Sequence, residues 1–422
     1  MGRKVTIIGA GSVYTPELVT EFFRNRGKSL LSLDHLALYD IDERRLSILG
    51  GLTKRMARRQ EVESKITLTT NLAEAVRDAS FVITQIRVGG NQARLLDETI
   101  PLRYGVIGQE TTGPGGMFKA LRTIPQLVKV AQAVKKHAPR AWTLSFTNPS
   151  GLCAEGVTKA VPGSRLVGVC SIQVGREGWV SGTMGVPERR VRVKSVGLNH
   201  LSWVYRVFVD GRDATERYFK RLKDGGWEKA DLLRAIGGAP VGYLYYYYQS
   251  QDAVKHAKHS KPRAKEVLRI EKILLRRYSD PTLDTQPEEL KLRGGSGYSV
   301  MIGTYIRALT GEKPITIPTN TPNRGAVDGF ADDQVLEIPA HISPAGIKPV
   351  RIPSGEIPEH QMGLMRQVKA YETLTAEAAM TGCYKTALSA ILSHPLVPDY
   401  PTGRKILDAL LKAHRKYLPN FR

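Results

Sequence analysis

The chain is 422 residues long, 41% hydrophobic and 24% charged, the make-up of a globular enzyme with length enough for two domains. Its 62 Lys and Arg against 40 Asp and Glu give a formal charge of +22, but the basic residues are scattered and carry no nucleic-acid-binding motif, so an anionic small molecule is a better partner than nucleic acid. No apolar window approaches the roughly 18 residues of a membrane span, and three cysteines (Cys153, Cys170, Cys383) make no disulfide framework.

Lys4 to Ile8 is a short β-rich run, entered without the apolar stretch of a signal peptide, so a cytoplasmic protein is expected. Gly9-Ala10-Gly11-Ser12-Val13 follows at once, and a helix opens at Thr15-Pro16-Glu17, where Thr suits a cap and Pro the first turn. Strand, glycine turn and helix form a dinucleotide-binding start, in which Gly9, Gly11, Ser12 and Val13 would face a pyrophosphate. Tyr14 stands at the third fingerprint position, normally Gly or Ala, so this match alone is imperfect. The second strand, His35 to Asp40, ends in the acid expected to take ribose hydroxyls and favour NAD over NADP.

Glu43 to Arg59 reads as a helix, Lys65 to Thr70 as a strand and Asn71 to Asp78 as a short helix. Phe81 to Ile86 is the continuous apolar run of a strand buried in a parallel sheet. It leads into Arg87-Val88-Gly89-Gly90 and Arg94, cations placed either to grip an anion or simply to be solvated. Tyr104 to Phe118 is polar and glycine-dense, a loop of the functional or mobile kind, with a helix expected from Leu121 to His137. Trp142 to Pro149 is a further strand ending in Asn148-Pro149, a pair that malate-type dehydrogenases place beside the nicotinamide.

Two short apolar runs then break off at polar residues, one at Cys170 and the other at His200. A thiolate and a neutral imidazole together suit a divalent transition metal, although a buried free cysteine and a hydrogen-bonded histidine fit the same residues. Beyond them the pattern is α+β. Val191 to Val209 is strand-rich, Ala214 to Leu233 helical and basic, and the tyrosines of Gly242 to Tyr248 mostly suit packing. Arg263 to Tyr278 is a cationic amphipathic helix, Leu292 to Ser299 a second glycine loop suited to a lid or interface. Ile315 to Ile338 is punctuated β structure, and Glu359 to Tyr417 is largely helical. A division into residues 1–195 and 196–422 is expected, the first a Rossmann-like α/β nucleotide domain of malate/lactate dehydrogenase type, the second α+β with substrate, metal and oligomer contacts.

Taken in order, Ile8 to Ser12 with Tyr14 to Leu18, Arg87 to Gly90, Ile107 to Gly113, Thr147-Asn148-Pro149, Cys170, Asn199-His200 and Arg293-Gly294-Gly295 form a specific set. In it the chain resembles the NAD- and metal-dependent glycosidases of glycoside hydrolase family 4, and within them the 6-phospho-β-glucosidases. The resemblance implies NAD+ and Mn2+ or another divalent transition metal as cofactors, with Cys170 and His200 as metal ligands and Tyr243 as the base that takes the C2 proton. It implies substrate contacts from Arg94, Asn148 and Arg263, with Arg87 added by its charge, and a homodimer or homotetramer. It also implies a reaction in which oxidation at C3 acidifies C2, the aglycone leaves by elimination, water adds and the hydride returns. Ser171 follows Cys170 where α-specific members resemble one another in having Asp, so another anomer or sugar is an alternative reading. An NAD-dependent 2-hydroxy-acid dehydrogenase of the same fold is the other.

Overall fold

The computed structural model describes residues 3–24, 33–173, 175–294 and 297–421. The apolar runs of the first part become parallel strands: β1 (Lys4–Ile8), β2 (His35–Tyr39), β3 (Lys65–Thr69), β4 (Phe81–Thr84), β5 (Trp142–Ser145) and β6 (Leu166–Gly168). They pair in the order β3-β2-β1-β4-β5-β6. This is the doubly wound arrangement, in which a nucleotide binds beyond the carboxyl ends of the strands where the order reverses, here between β1 and β4. Both strands are covered on each face, which is why their sequences run apolar instead of alternating.

The remaining strands are β7 (Val191–Leu198), β8 (Leu201–Val209), β9 (Arg212–Asp213), β10 (Ala239–Pro240), β11 (Ile315–Pro322), β12 (Val335–Ser343) and β13 (Gly346–Pro349). They extend the same sheet past β6 through β11, β12, β7, β8 and β10, all antiparallel. The join to β6 is narrow, with Asn320 opposite Gly168, and β12 meets β7 at Glu337 opposite Gly197. The expected division at residue 195 thus falls inside β7, within a sheet common to both parts. One apolar cluster likewise mixes Val5, Ile83 and Leu144 with Ile270, Ile306 and Ala340. Among the described residues no helix is long and apolar enough to cross a membrane.

Helices form over Glu43–Arg59 and Arg263–Tyr278 as the periodicity predicts. Two segments differ. The helix expected to start at Leu121 begins at Gly113 and runs to His137, so the end of the glycine-dense stretch, from Gly113 on, is helical. Its glycines serve close approach: a Cβ on Gly115 would stand 2.3 Å from the Gln109 carbonyl oxygen, and one on Gly116 2.5 Å from the Thr111 carbonyl carbon. The helix start is thereby pressed against the loop before it, which side chains would forbid. The second difference is the segment Ala214 to Leu233, which splits into helices Thr215–Arg221 and Ala230–Ala235 around Asp224-Gly225-Gly226.

The helix Gly113–His137 is anchored from beneath. Arg122 is fully enclosed and holds both oxygens of Asp97, at 3.0 and 2.5 Å, while Nε2 of His414 lies 3.0 Å from Asp97 Oδ1. The last long helix, Tyr400–His414, is in this way tied to the element that opens at the Gln109–Thr112 loop. Removing one member of such a buried pair costs about 3–5 kcal/mol, because the other charge is stranded.

Candidate active site

The glycine turn after β1 is tied to the end of β2. Gly9 and Ala10 donate their N–H groups to the Tyr39 carbonyl, each at 2.9 Å, and Gly11 donates to Asp40 Oδ2 at 2.7 Å. A Cβ on Gly11 would stand 2.8 Å from that carboxylate oxygen, so the turn and the acid are built against each other. Ser12 is half-buried and Val13 buried, its carbonyl accepting from the Tyr278 hydroxyl at 2.9 Å. At the end of β5, beside a cis Asn148–Pro149 bond, Asn148 keeps its Oδ1 buried without a hydrogen-bond partner among the described residues. A buried acceptor left unmatched is a group waiting for a donor. Strand order, turn, acid and this acceptor together fit a nicotinamide dinucleotide.

Cys170 follows β6 and His200 lies on the two-residue turn between β7 and β8, yet Sγ and Nε2 come within 3.5 Å. One cation can span that gap at metal–sulfur and metal–nitrogen lengths of about 2.3 and 2.1 Å. Burial, and then Lys119, lowers the His200 pKa to about 3, which keeps the imidazole neutral as a ligand must be. Burial, reinforced by Glu337, pushes the Cys170 thiol up to about 12, so its proton must leave when a cation arrives. Among the described residues no group of three or more His, Cys, Asp or Glu stands ready for a metal ion. Two protein ligands fit a cation whose other positions go to substrate oxygens and water.

The turn that presents His200 is fixed by its neighbour. Asn199 Oδ1 accepts the Ser150 N–H at 3.0 Å, and its Nδ2 donates to Glu337 at 3.2 Å. Ser150 follows Pro149, so the Asn148 loop and the His200 turn are held to one another. Tyr243 stacks on His200 with ring centroids 3.8 Å apart and planes within 3°. Its phenol is raised above the ordinary tyrosine range, first by burial and then by Cys170 and Glu110.

Two of the three arginines expected to hold substrate converge on a carboxylate, Glu110. Arg87 pairs with it, Arg94 reaches it at 3.0 Å and Lys119 at 2.7 Å. Burial opposes ionisation of Glu110, but Arg87, Lys119 and Arg94 outweigh it and hold the carboxyl well below the usual range. Burial and the same arginines lower Lys119 to about 7. Arg94 also pairs with Glu98 at 2.6 Å, and Glu98 accepts the Ala264 N–H at 2.8 Å, which sets the start of the helix Arg263–Tyr278. Arg263 itself is exposed and donates to the carbonyls of Leu292 and Arg293, both at 3.1 Å. Arg293 lies over the Tyr14 ring at 5.0 Å, its Nε buried and without a hydrogen-bond partner among the described residues.

The structure therefore gathers Cys170, His200 and Tyr243 in one cluster, and Arg87 and Arg94 in a second around Glu110. The two clusters meet through Lys119 and Glu110, whose charges both reach His200. Gly9, Gly11, Ser12, Val13 and Asp40 form the separate turn, Asn148 stands at the β5 end and Arg263 at the rim. Glu110 and Thr111 lie inside the Ile107 to Gly113 motif but carry no role in the sequence reading, and Lys119 lies outside every motif. The signal that could have found the first was an acid inside Gly108-Gln109-Glu110-Thr111, within reach of three cations.

Two family models match the chain, "Family 4 glycosyl hydrolase" over residues 4–186 and "Family 4 glycosyl hydrolase C-terminal domain" over residues 195–397. A relative from Bacillus subtilis (strain 168), named a probable 6-phospho-β-glucosidase, is 39% identical over 438 residues, covering 100% of this chain and 98% of its own. The solved structure of the Thermotoga maritima 6-phospho-β-glucosidase with manganese, NAD+ and glucose-6-phosphate is 34% identical, with a TM-score of 0.88 over 98% of this chain and 99% of that one. Malate dehydrogenase from Plasmodium falciparum, 16% identical with a TM-score of 0.55 over 90% of this chain and 99% of its own, shares the fold alone.

Proposed function

The chain belongs to the family 4 glycosyl hydrolases, and from that premise we propose that it hydrolyses 6-phospho-β-glucosides with NAD+ and a divalent metal such as Mn2+. The observation that carries the reading is the Cys170–His200–Tyr243 cluster, a two-ligand metal site with a phenol stacked against it. The β assignment follows the relative at 39% identity, itself named for that activity.

When bound, NAD+ would supply the oxidant for C3 of the sugar, and the metal a Lewis acid for the carbonyl that results. The protein's part is then to move a proton. With C3 oxidised, the C2 hydrogen is acidic, and Tyr243, stacked on His200, would take it. A phenol raised by burial is a poor base, so this role needs the positive charge of the site beside it to restore the phenolate. The C2 electron pair forms the C1–C2 double bond as the C1–O bond to the aglycone breaks. Ser171 gives that leaving group no strong acid, so stabilisation of the carbanionic state carries the step. Water then adds at C1, the proton returns to C2 and the hydride to C3, so cofactor and base are regenerated.

Cys170 and His200 would hold the metal, and Gly9, Gly11, Ser12, Val13 and Asp40 the dinucleotide. Asn148 Oδ1, without a hydrogen-bond partner among the described residues, is suited to a ligand donor. Arg94, Arg87 and Arg263 are proposed for the phosphorylated sugar, and the unpartnered Nε of Arg293 supports adding that residue. We further propose a homodimer or homotetramer. Leu292 and Val300, 57% and 52% exposed on either side of the second glycine loop, support it. A reducing cytoplasm suits a chemistry that depends on a free thiol.

A panel of aryl glucosides, with and without 6-phosphate, tested with and without NAD+ and Mn2+, decides the matter. Cleavage should need the phosphate and both cofactors, with no net NADH. Stoichiometric NADH release would point to the dehydrogenase alternative, and cleavage of the α-anomers alone would move the specificity.

A further inference from the structure

His200 Nδ1 lies 2.9 Å from Thr111 Oγ1, and Thr111 Oγ1 lies 2.8 Å from Gln109 Oε1. The Thr111 backbone N–H also donates to that same Gln109 atom. A backbone N–H can only donate, so the Gln109 atom it meets must be the amide oxygen and not the NH2 group. The direction of the chain is then determined. An amide oxygen is an acceptor, so the single hydroxyl hydrogen of Thr111 goes to Gln109, leaving only lone pairs for His200. Nδ1 must therefore carry the hydrogen of the neutral ring. The reverse assignment would set two lone pairs face to face at 2.8 Å.

We propose that Gln109 and Thr111 are positioning residues that hold His200 in its Nδ1–H tautomer, so that Nε2 turns a lone pair toward Cys170 Sγ and the metal the two would share. The inference rests on the reading that Cys170 and His200 bind the metal. The loop that carries the relay is braced for it: Gly115 and Gly116 bring the helix start against Gln109 and Thr111 at distances no side chain permits. A histidine ligand whose other ring nitrogen is anchored in this way binds its metal more tightly, and loss of the anchor typically weakens binding about 10–100-fold. His200 cannot be anchored by Tyr243, which meets the ring face and not its edge.

The test uses Mn2+ alone, titrated into the full-length protein and followed by the electron paramagnetic resonance of the free ion. Thr111→Val should weaken Mn2+ binding roughly 10–100-fold, while Thr111→Ser, which keeps the hydroxyl, should stay close to wild type. Gln109→Met frees the Thr111 hydroxyl to donate toward Nδ1 and should weaken Mn2+ as Thr111→Val does. Gln109→Glu, whose carboxylate still accepts both hydrogens, should preserve the tautomer. The tautomer is read directly in metal-free 15N-labelled protein, with His200 assigned by its loss in His200→Gln. Wild type should show a protonated Nδ1, and Gln109→Met a shift toward protonated Nε2. Wild-type Mn2+ affinity in both Thr111→Val and Gln109→Met, or a wild-type ring protonated at Nε2, would overturn the proposal. Absence of Mn2+ binding by the wild type would instead sink the metal reading, and this inference with it.

Discussion

Tyr243 lies flat against His200, with ring centroids 3.8 Å apart and planes within 3°. The proposed base and a proposed metal ligand are thus one packed unit, and substitutions that keep the ring can be separated from those that remove the hydroxyl. Tyr243→Phe preserves the stack and should lower turnover by about 10²–10⁴-fold, the usual contribution of a general base. Mn2+ affinity and binding of glucose 6-phosphate should change little. Product formed by the wild type in D2O should carry deuterium at C2, and full retention of hydrogen there would rule out the elimination route.

The metal pair gives a second expectation. Chelation should abolish activity and added Mn2+ restore it, whereas Cys170→Ser and His200→Ala should stay inactive in excess metal. Both variants should keep wild-type NAD+ affinity by calorimetry, because the glycine turn shares no residue with the pair. A Cys170→Ser enzyme that turns over normally after chelation would remove the thiolate from the mechanism.

Asp40 does two jobs that substitution can separate. Its Oδ2 accepts the Gly11 N–H at 2.7 Å, and its charge would repel a 2′-phosphate. Asp40→Asn keeps an acceptor for Gly11 but loses the one that Oδ1 offers the Asp42 N–H at 3.0 Å, so it should relax discrimination against NADP+ with a modest loosening of the turn. Asp40→Ala should also loosen the turn and weaken both dinucleotides. If neither variant alters the NAD+ to NADP+ ratio, Asp40 is only a support for the turn.

Acid stability should report on His394, buried beside Gly113 at the start of the long helix. Leu396 donates its N–H to Nδ1 at 3.2 Å, and Nε2 meets the Tyr247 hydroxyl at 3.2 Å, so the ring is held neutral. Burial lowers its pKa from 6.5 to about 3. Between those values the unfolded chain binds the proton and the folded one does not, so stability is full above pH 6.5 and lost as pH falls toward 3. One such group gives a slope of at most about 1.4 kcal/mol per pH unit, and His200 adds another of the same sign. Urea unfolding between pH 7 and 4.5 should show a shallower loss in His394→Gln, and an unchanged slope would clear this residue.

Much of the fold was legible because its signals are local. The apolar runs at Lys4 to Ile8 and Phe81 to Ile86, and the helices Glu43–Arg59 and Arg263–Tyr278, declare themselves by period and caps. The start of Gly113–His137 was not, since Gly115 and Gly116 read as loop until the chain segment they press against is known. Cys170 and His200 could be named individually, but their 3.5 Å approach depends on turns held by Asn199, Ser150 and Glu337. Glu110 was hidden for the same reason. Its partners Arg87, Arg94 and Lys119 are scattered over more than thirty positions, and pairing at such range leaves no periodic trace.

His200 adopts φ +65°, the left-handed region, where a residue other than glycine costs on the order of 1 kcal/mol. Glycine would suit that backbone better, and asparagine would tolerate it, but neither brings an imidazole to Cys170. With His200 as the proposed metal ligand, the position is a local trade-off of stability against activity: the replacements that would make the turn more robust are those that would remove the ligand. A thermostable variant would have to gain its margin elsewhere, and a chain released from selection for catalysis would be expected to drift at this turn early.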